Sequence, residues 1–149
     1  MTLRYRHRLV TAALAGLLCA SGAWARLGGD AASVVSDGLA LGASTSQSKL
    51  VGATLYTQTL PNGLTLRQYV NAAGLVFAVG WEGPVLPDFE RLLGPYFAAY
   101  DTALRQQRRG VNVQAADLVI ESGGMMRSFN GRAYLPPGVP ATLPAQDIR

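Results

Sequence analysis

The chain of 149 residues carries 13 basic and nine acidic side chains for a formal charge of +4, with one histidine, His7, and one cysteine, Cys19. Both of these and three of the arginines precede residue 26, so the remainder has a net charge of about +1 and neither imidazole nor thiol. That excludes, for residues 26–149, a Ser-His or Cys-His nucleophile pair, a zinc site of the usual ligands, histidine acid-base catalysis, a disulfide and nucleic-acid binding driven by charge.

In chain order, Arg4, Arg6 and Arg8 form a basic start, Leu9 to Ala20 an apolar run too short to span a bilayer, and Ala23-Trp24-Ala25 an A-x-A cleavage site. Residues 1–25 are therefore expected to be a secretory signal peptide cut between Ala25 and Arg26, which predicts an exported protein, periplasmic in location. Cys19 follows Leu18, where lipoprotein processing needs a small residue, so lipidation is not expected. No later segment has transmembrane length. Residues 26–54 are a Gly/Ala/Ser-rich lead-in, predicted to be extended apart from a helical turn around Ser33 to Asp37. Within it, Ser46-Gln47-Ser48-Lys49 matches the S-x-x-K pattern of penicillin-recognising serine enzymes. With no K-T-G downstream, the match reads as chance.

Residues 55–135 show the patterning of an α+β domain. Leu55 to Leu60 and Leu64 to Val70 flank Pro61-Asn62-Gly63, a β-hairpin signal, with Leu64, Leu66 and Val70 on one face and Thr65, Arg67 and Tyr69 on the other. Leu75 to Trp81 is apolar throughout, as in a central strand covered on both sides; Gly80 leaves room for a close approach, and Gly83-Pro84 ends the strand. Phe89, Leu92, Leu93, Tyr96, Phe97, Tyr100 and Leu104 then recur at helical spacing. This predicts one long amphipathic helix capped by Asp88 and kinked or split at Gly94-Pro95. Asp117 to Ser122, Met125 to Phe129 and Arg132 to Leu135 read as three further strands, joined by turns at Gly123-Gly124 and Asn130-Gly131. Two β-meanders forming a mainly antiparallel sheet against one kinked helix is the expected fold. Residues 136–149, with Pro136, Pro137, Pro140 and Pro144, form an extended tail, either a strap along the sheet edge or a mobile end.

Several stretches resemble one family. Arg26-Leu27-Gly28-Gly29 after the leader, Leu66 to Val70, Val76 to Pro84, Pro87-Asp88, Leu92-Leu93-Gly94 and Gly131 to Pro136 are similar to the exported bacterial family called domain of unknown function 2844. The resemblance spans nearly all of the chain after the leader and implies a proteobacterial, exported, single-domain protein with no assigned activity. It carries over no catalytic residue. The family pattern has a polar residue, often histidine, before the Met-Arg that aligns with Met126-Arg127; Met125 stands there, which argues against a histidine-based role.

Candidate chemistry is narrow. Walker-type and dinucleotide-binding glycine motifs are absent, and neither a cofactor nor a metal is expected. With a turn at Asn130-Gly131, Arg127 would lie opposite Tyr134 and Arg132 opposite Phe129, a cluster of Arg127, Arg132 and Tyr134 suited either to an internal ion pair or to an anionic or sugar ligand. Asp88, Glu90, Asp117 and Glu121 are the candidate carboxylates for catalysis, and Asp117 and Glu121, on one strand, would sit about 13 Å apart. That is wider than the roughly 5–9.5 Å of glycoside-hydrolase pairs. The preferred reading is a non-enzymatic binding or assembly module of the bacterial envelope that engages an envelope protein or a glycan. The alternative is a carboxylate-dependent enzyme acting on envelope glycan. Nucleic acid is not an expected partner.

Overall fold

The computed structural model describes residues 26–107 and 110–149. The expected leader, the Ala25 side of its cleavage site, and Arg108 and Arg109 lie outside the described residues.

Period-two alternation from Ala53 onward gives strands that close into one seven-stranded sheet in which every neighbouring pair is antiparallel. The strands are β1 (Ser44–Leu50), β2 (Ala53–Thr59), β3 (Thr65–Asn71), β4 (Val76–Gly83), β5 (Val111–Gln114), β6 (Val119–Met125) and β7 (Ser128–Tyr134). Their spatial order, β1-β2-β3-β4-β7-β6-β5, joins a four-strand meander to a three-strand one where β4 pairs with β7. Three α-helices, α1 (Ala31–Ala40), α2 (Phe89–Leu93) and α3 (Phe97–Gln106), cover one face. The fold is α+β with an antiparallel sheet, as the order of one meander, a helix and a second meander predicts.

β4 is the central strand, and Val76 to Trp81 are buried without interruption. Tyr69 pairs with Ala78 and Val70 with Val76, so Phe77 is an extra residue. This bulge sends Phe77 and Ala78 to the same face. Val79 and Trp81 join the helix-side core; Phe77 and Ala78 join a smaller core on the opposite face with Tyr69 and Ile148.

The lead-in is built into the fold, and the helical turn expected around Ser33 to Asp37 lengthens into α1. Asp30 caps α1 by accepting the Ala32 N–H at 2.8 Å, Val34 is fully buried, and β1 adds a seven-residue edge strand to the sheet. Ahead of α1, Leu27 enters the core and donates its N–H to the Leu92 carbonyl at 2.9 Å, while Gly28 and Val76 pair at 2.8 Å. Sparse apolar residues hid this stretch, because β1 pairs through its backbone while all but its last side chain are exposed. Ser46 and Lys49 lie three apart on that strand and so point to opposite faces, which leaves the S-x-x-K match without a dyad.

The long helix is divided. Asp88 accepts the Arg91 N–H at 3.1 Å to cap α2, and Pro95 forces a 3-10 turn over Gly94–Tyr96 before α3. Both halves serve the same core, where the Phe89 ring stacks on Tyr100 at 4.3 Å and meets Trp81 edge-on at 5.1 Å. The stripe shifts by one residue at its end, so that Ala103 is buried and Leu104 exposed; Phe97 is half-buried.

The second meander differs from expectation in its turns. β6 runs through Gly123-Gly124 to Met125, the chain reverses at Met126-Arg127, and β7 runs straight through Asn130-Gly131. Gly131 is a packing residue rather than a turn residue: a Cβ there would strike the Trp81 ring and the Glu121 carbonyl. The four-residue β5 adds a strand beyond those expected, and Asp117 falls in the β5–β6 connection rather than on the strand with Glu121.

The tail straps a face rather than an edge. After a 3-10 turn at Pro136–Gly138 it reaches the β1–β2 turn, where the Thr142 hydroxyl donates to the Val51 carbonyl at 2.9 Å. It then returns to bury Ile148 completely over Tyr69 and Phe77. No helix among the described residues is long and apolar enough to cross a membrane.

Candidate functional site

The strap covers only part of its face. Beside it lies an open trough of about 630 Å³, formed where β3, β4, β7, β6 and β5 present polar side chains toward the end of the tail. Period-two geometry sets this row: Arg67 on β3, Glu82 on β4, Asn130 and Arg132 on β7, Glu121 on β6 and Asn112 on β5 all project to the tail side. Gln146 and Arg149 supply the bank on the strap side. Gly80 makes that bank possible, since a Cβ there would collide with the Arg149 carbonyl. The Tyr69 hydroxyl completes the seat by accepting the Arg149 N–H at 3.1 Å.

Four of the charged side chains in the trough are arranged as two pairs. Arg67 and Glu82 meet at 3.2 Å. Arg132 donates to Glu121 Oε2 through Nε and Nη2 at 2.8 and 2.7 Å, and its remaining terminal nitrogen, Nη1, donates to the carbonyls of Ala145 and Ile148 at 2.8 and 3.0 Å. The guanidinium stands 5.8 Å from the Tyr134 ring centre. Gln114 Nε2 donates to the other Glu121 oxygen at 3.1 Å, so both oxygens of that carboxylate accept hydrogen bonds. Arg132 thus ties β6 to the strap.

Of the cluster predicted from sequence, Arg132 and Tyr134 come together, and Arg127 does not join them. Arg127 occupies the β6–β7 turn, fully outside the trough, because the reversal falls at Met126-Arg127 and not at Asn130-Gly131. Arg26, the expected new N-terminal residue, packs beside Gly94 on the helix side. The four carboxylates weighed for catalysis also fail to converge. Asp88 and Glu90 belong to the first turn of α2 on the helix side, and Glu121 projects to the other face. Sequence reasoning passed over Arg67, Glu82, Asn112 and Asn130. Alternation placed Arg67 on the correct face, but nothing local indicated that β4 and β7 would be neighbours.

Among the described residues no cluster of three or more His, Cys, Asp or Glu is placed to hold a metal ion. On the helix side, burial pushes the Tyr100 phenol above its ordinary value of 10, and a hydrogen bond with Ser122 offsets part of that rise.

Comparison with curated proteins and with solved structures yields no match. A family model described as protein of unknown function, DUF2844, matches residues 23–148. With that match spanning nearly all of the strands, helices and strap described above, the chain belongs to the DUF2844 family.

Proposed function

We propose that this protein is a non-enzymatic module of the bacterial envelope, exported by its N-terminal leader, that holds a glycan in the trough beside the strap. The observation that carries the reading is the composition of the trough: guanidinium groups, carboxylates and the side-chain amides of Asn112, Asn130 and Gln146 on a shallow, open floor. Such a surface offers donors and acceptors in both directions to a hydroxyl-rich chain, and the four charges on its strands are already neutralised in pairs, so little is lost when it is empty. The same pairing weighs against the carboxylate-enzyme reading. Glu82 and Glu121 sit on strands separated by β7 and two residues out of register, so their backbones lie about 12 Å apart, and each is held by its own arginine.

Co-sedimentation with purified peptidoglycan sacculi, and separately flotation with lipopolysaccharide vesicles, tests the proposal. The protein is expected to associate with one of these glycans, and Asn112→Ala combined with Asn130→Ala, both at exposed positions, should lower the bound fraction about tenfold while leaving the melting temperature nearly unchanged, as surface substitutions do. Association with neither material, or equal binding by the double variant, rejects the trough as a glycan site.

A further inference from the structure

A second cavity lies on the opposite face of the sheet, unrelated to the trough. It occupies about 230 Å³ between the end of α1, the β2–β3 hairpin and the approach to α2. Its walls are mostly aliphatic, from Leu60, Leu64, Leu66, Leu86, Pro87 and Leu92. Asp37, Asn62, Asp88 and Arg91 also line it, and at its floor lie two glutamines, Gln58 and Gln68, which are 0% and 2% exposed, unusual for this side chain.

The hydrogen bonds of these glutamines form a relay with a fixed direction. The Val34 carbonyl can only accept, so the atom of Gln58 that lies 2.6 Å from it is the donor Nε2. Gln58 Oε1 therefore faces Gln68, and the atom opposite it at 3.3 Å is Gln68 Nε2. Gln68 Oε1 is left over, buried and without a hydrogen-bond partner. Turning Gln58 around would break the bond to Val34, and turning Gln68 around would set two oxygens against each other, so the unfilled position is an acceptor and not a donor. A buried acceptor without a partner is costly, and folded proteins retain few of them.

We propose that this cavity is a binding site for a small apolar molecule that brings one N–H or O–H donor to Gln68 Oε1. Aliphatic walls select the body of the ligand and the orphaned acceptor selects its polar atom, the usual division of labour in small-molecule sites. An apolar cavity of about 150 Å³ accepts one benzene ring, so this larger one suits a bicyclic aromatic of about nine or ten heavy atoms. Phenols, indoles and short-chain alcohols or amides are the matching chemical classes.

Indole and its carbon isostere indene separate the donor from the shape. Titrated into the protein and followed by two-dimensional amide NMR, indole is expected to shift the side-chain amide signals of Gln58 and Gln68, and to bind roughly tenfold more tightly than indene, the factor expected for one satisfied buried hydrogen bond. Gln68→Met should bring the two affinities together. Leu86→Trp, at an exposed position on the rim, should block both compounds without altering the melting temperature. Equal affinities in the unsubstituted protein overturn the proposal. So does the absence of binding by either compound, including the case in which NMR cross-relaxation finds only a long-lived water at Gln68 Oε1. Should Gln68→Met fail to fold, the indole-to-indene ratio and Leu86→Trp decide the matter.

Discussion

Two arginines that look alike in the sequence have opposite roles. Arg132 is about three-quarters buried and binds one carboxylate and two tail carbonyls, whereas Arg127 sits exposed at a turn. Arg132→Gln is expected to lower stability by about 1.5–3 kcal/mol, the range for hydrogen bonds to a charged group, and to speed proteolysis of the tail. Arg127→Gln should stay within about 0.5 kcal/mol. Urea melts of the two single variants check this, and equal effects would contradict the latch. The confusion between them traces to one glycine. Asn130-Gly131 carries the strongest short hairpin signal, yet Gly131 is small because the Trp81 ring crosses it from the neighbouring strand. A local signature cannot tell a turn glycine from a glycine that makes way for a distant side chain.

Among the elements, the β6–β7 hairpin stores strain in a place that can be relieved. Met126 and Arg127 have φ of 51° and 66°, the left-handed region that a side chain resists at about 1–2 kcal/mol per residue. Replacing Met126-Arg127 with Asn-Gly, the pair that suits a two-residue reversal of this hand, should stabilise the protein by about 1–2 kcal/mol. A thermal melt showing no gain would mean that the reversal does not need that backbone geometry. The other elements were legible where burial was one-sided or complete: the β2–β3 hairpin, the apolar β4 and the Asp88 cap follow from spacing alone. β1 and β5 were not, because an exposed edge strand and a four-residue strand bury too few side chains to impose a period. The trough was legible only in fragments, since its residues come from five strands whose order is a property of the whole sheet.

At the scale of the molecule, sheet and strap depend on one another through Gly80 and Ile148. Ile148→Ala should cost about 2–5 kcal/mol as a core truncation. Gly80→Ala should displace the Arg149 backbone and with it the same side chain. Because each change unseats the same segment, the double variant is expected to cost little more than the larger single one, and denaturant midpoints that instead add would show the two sites to be independent. The strap also gives folding an order in time. Tyr69 and Arg149 touch across a separation of 80 residues, so their contact closes a far longer loop than any hairpin of the sheet. During synthesis the first meander is complete long before Ile148 leaves the ribosome, and Tyr69, Phe77 and Ala78 stand uncovered for that whole interval. A nascent chain with such a patch is expected to engage chaperones until the strap covers it.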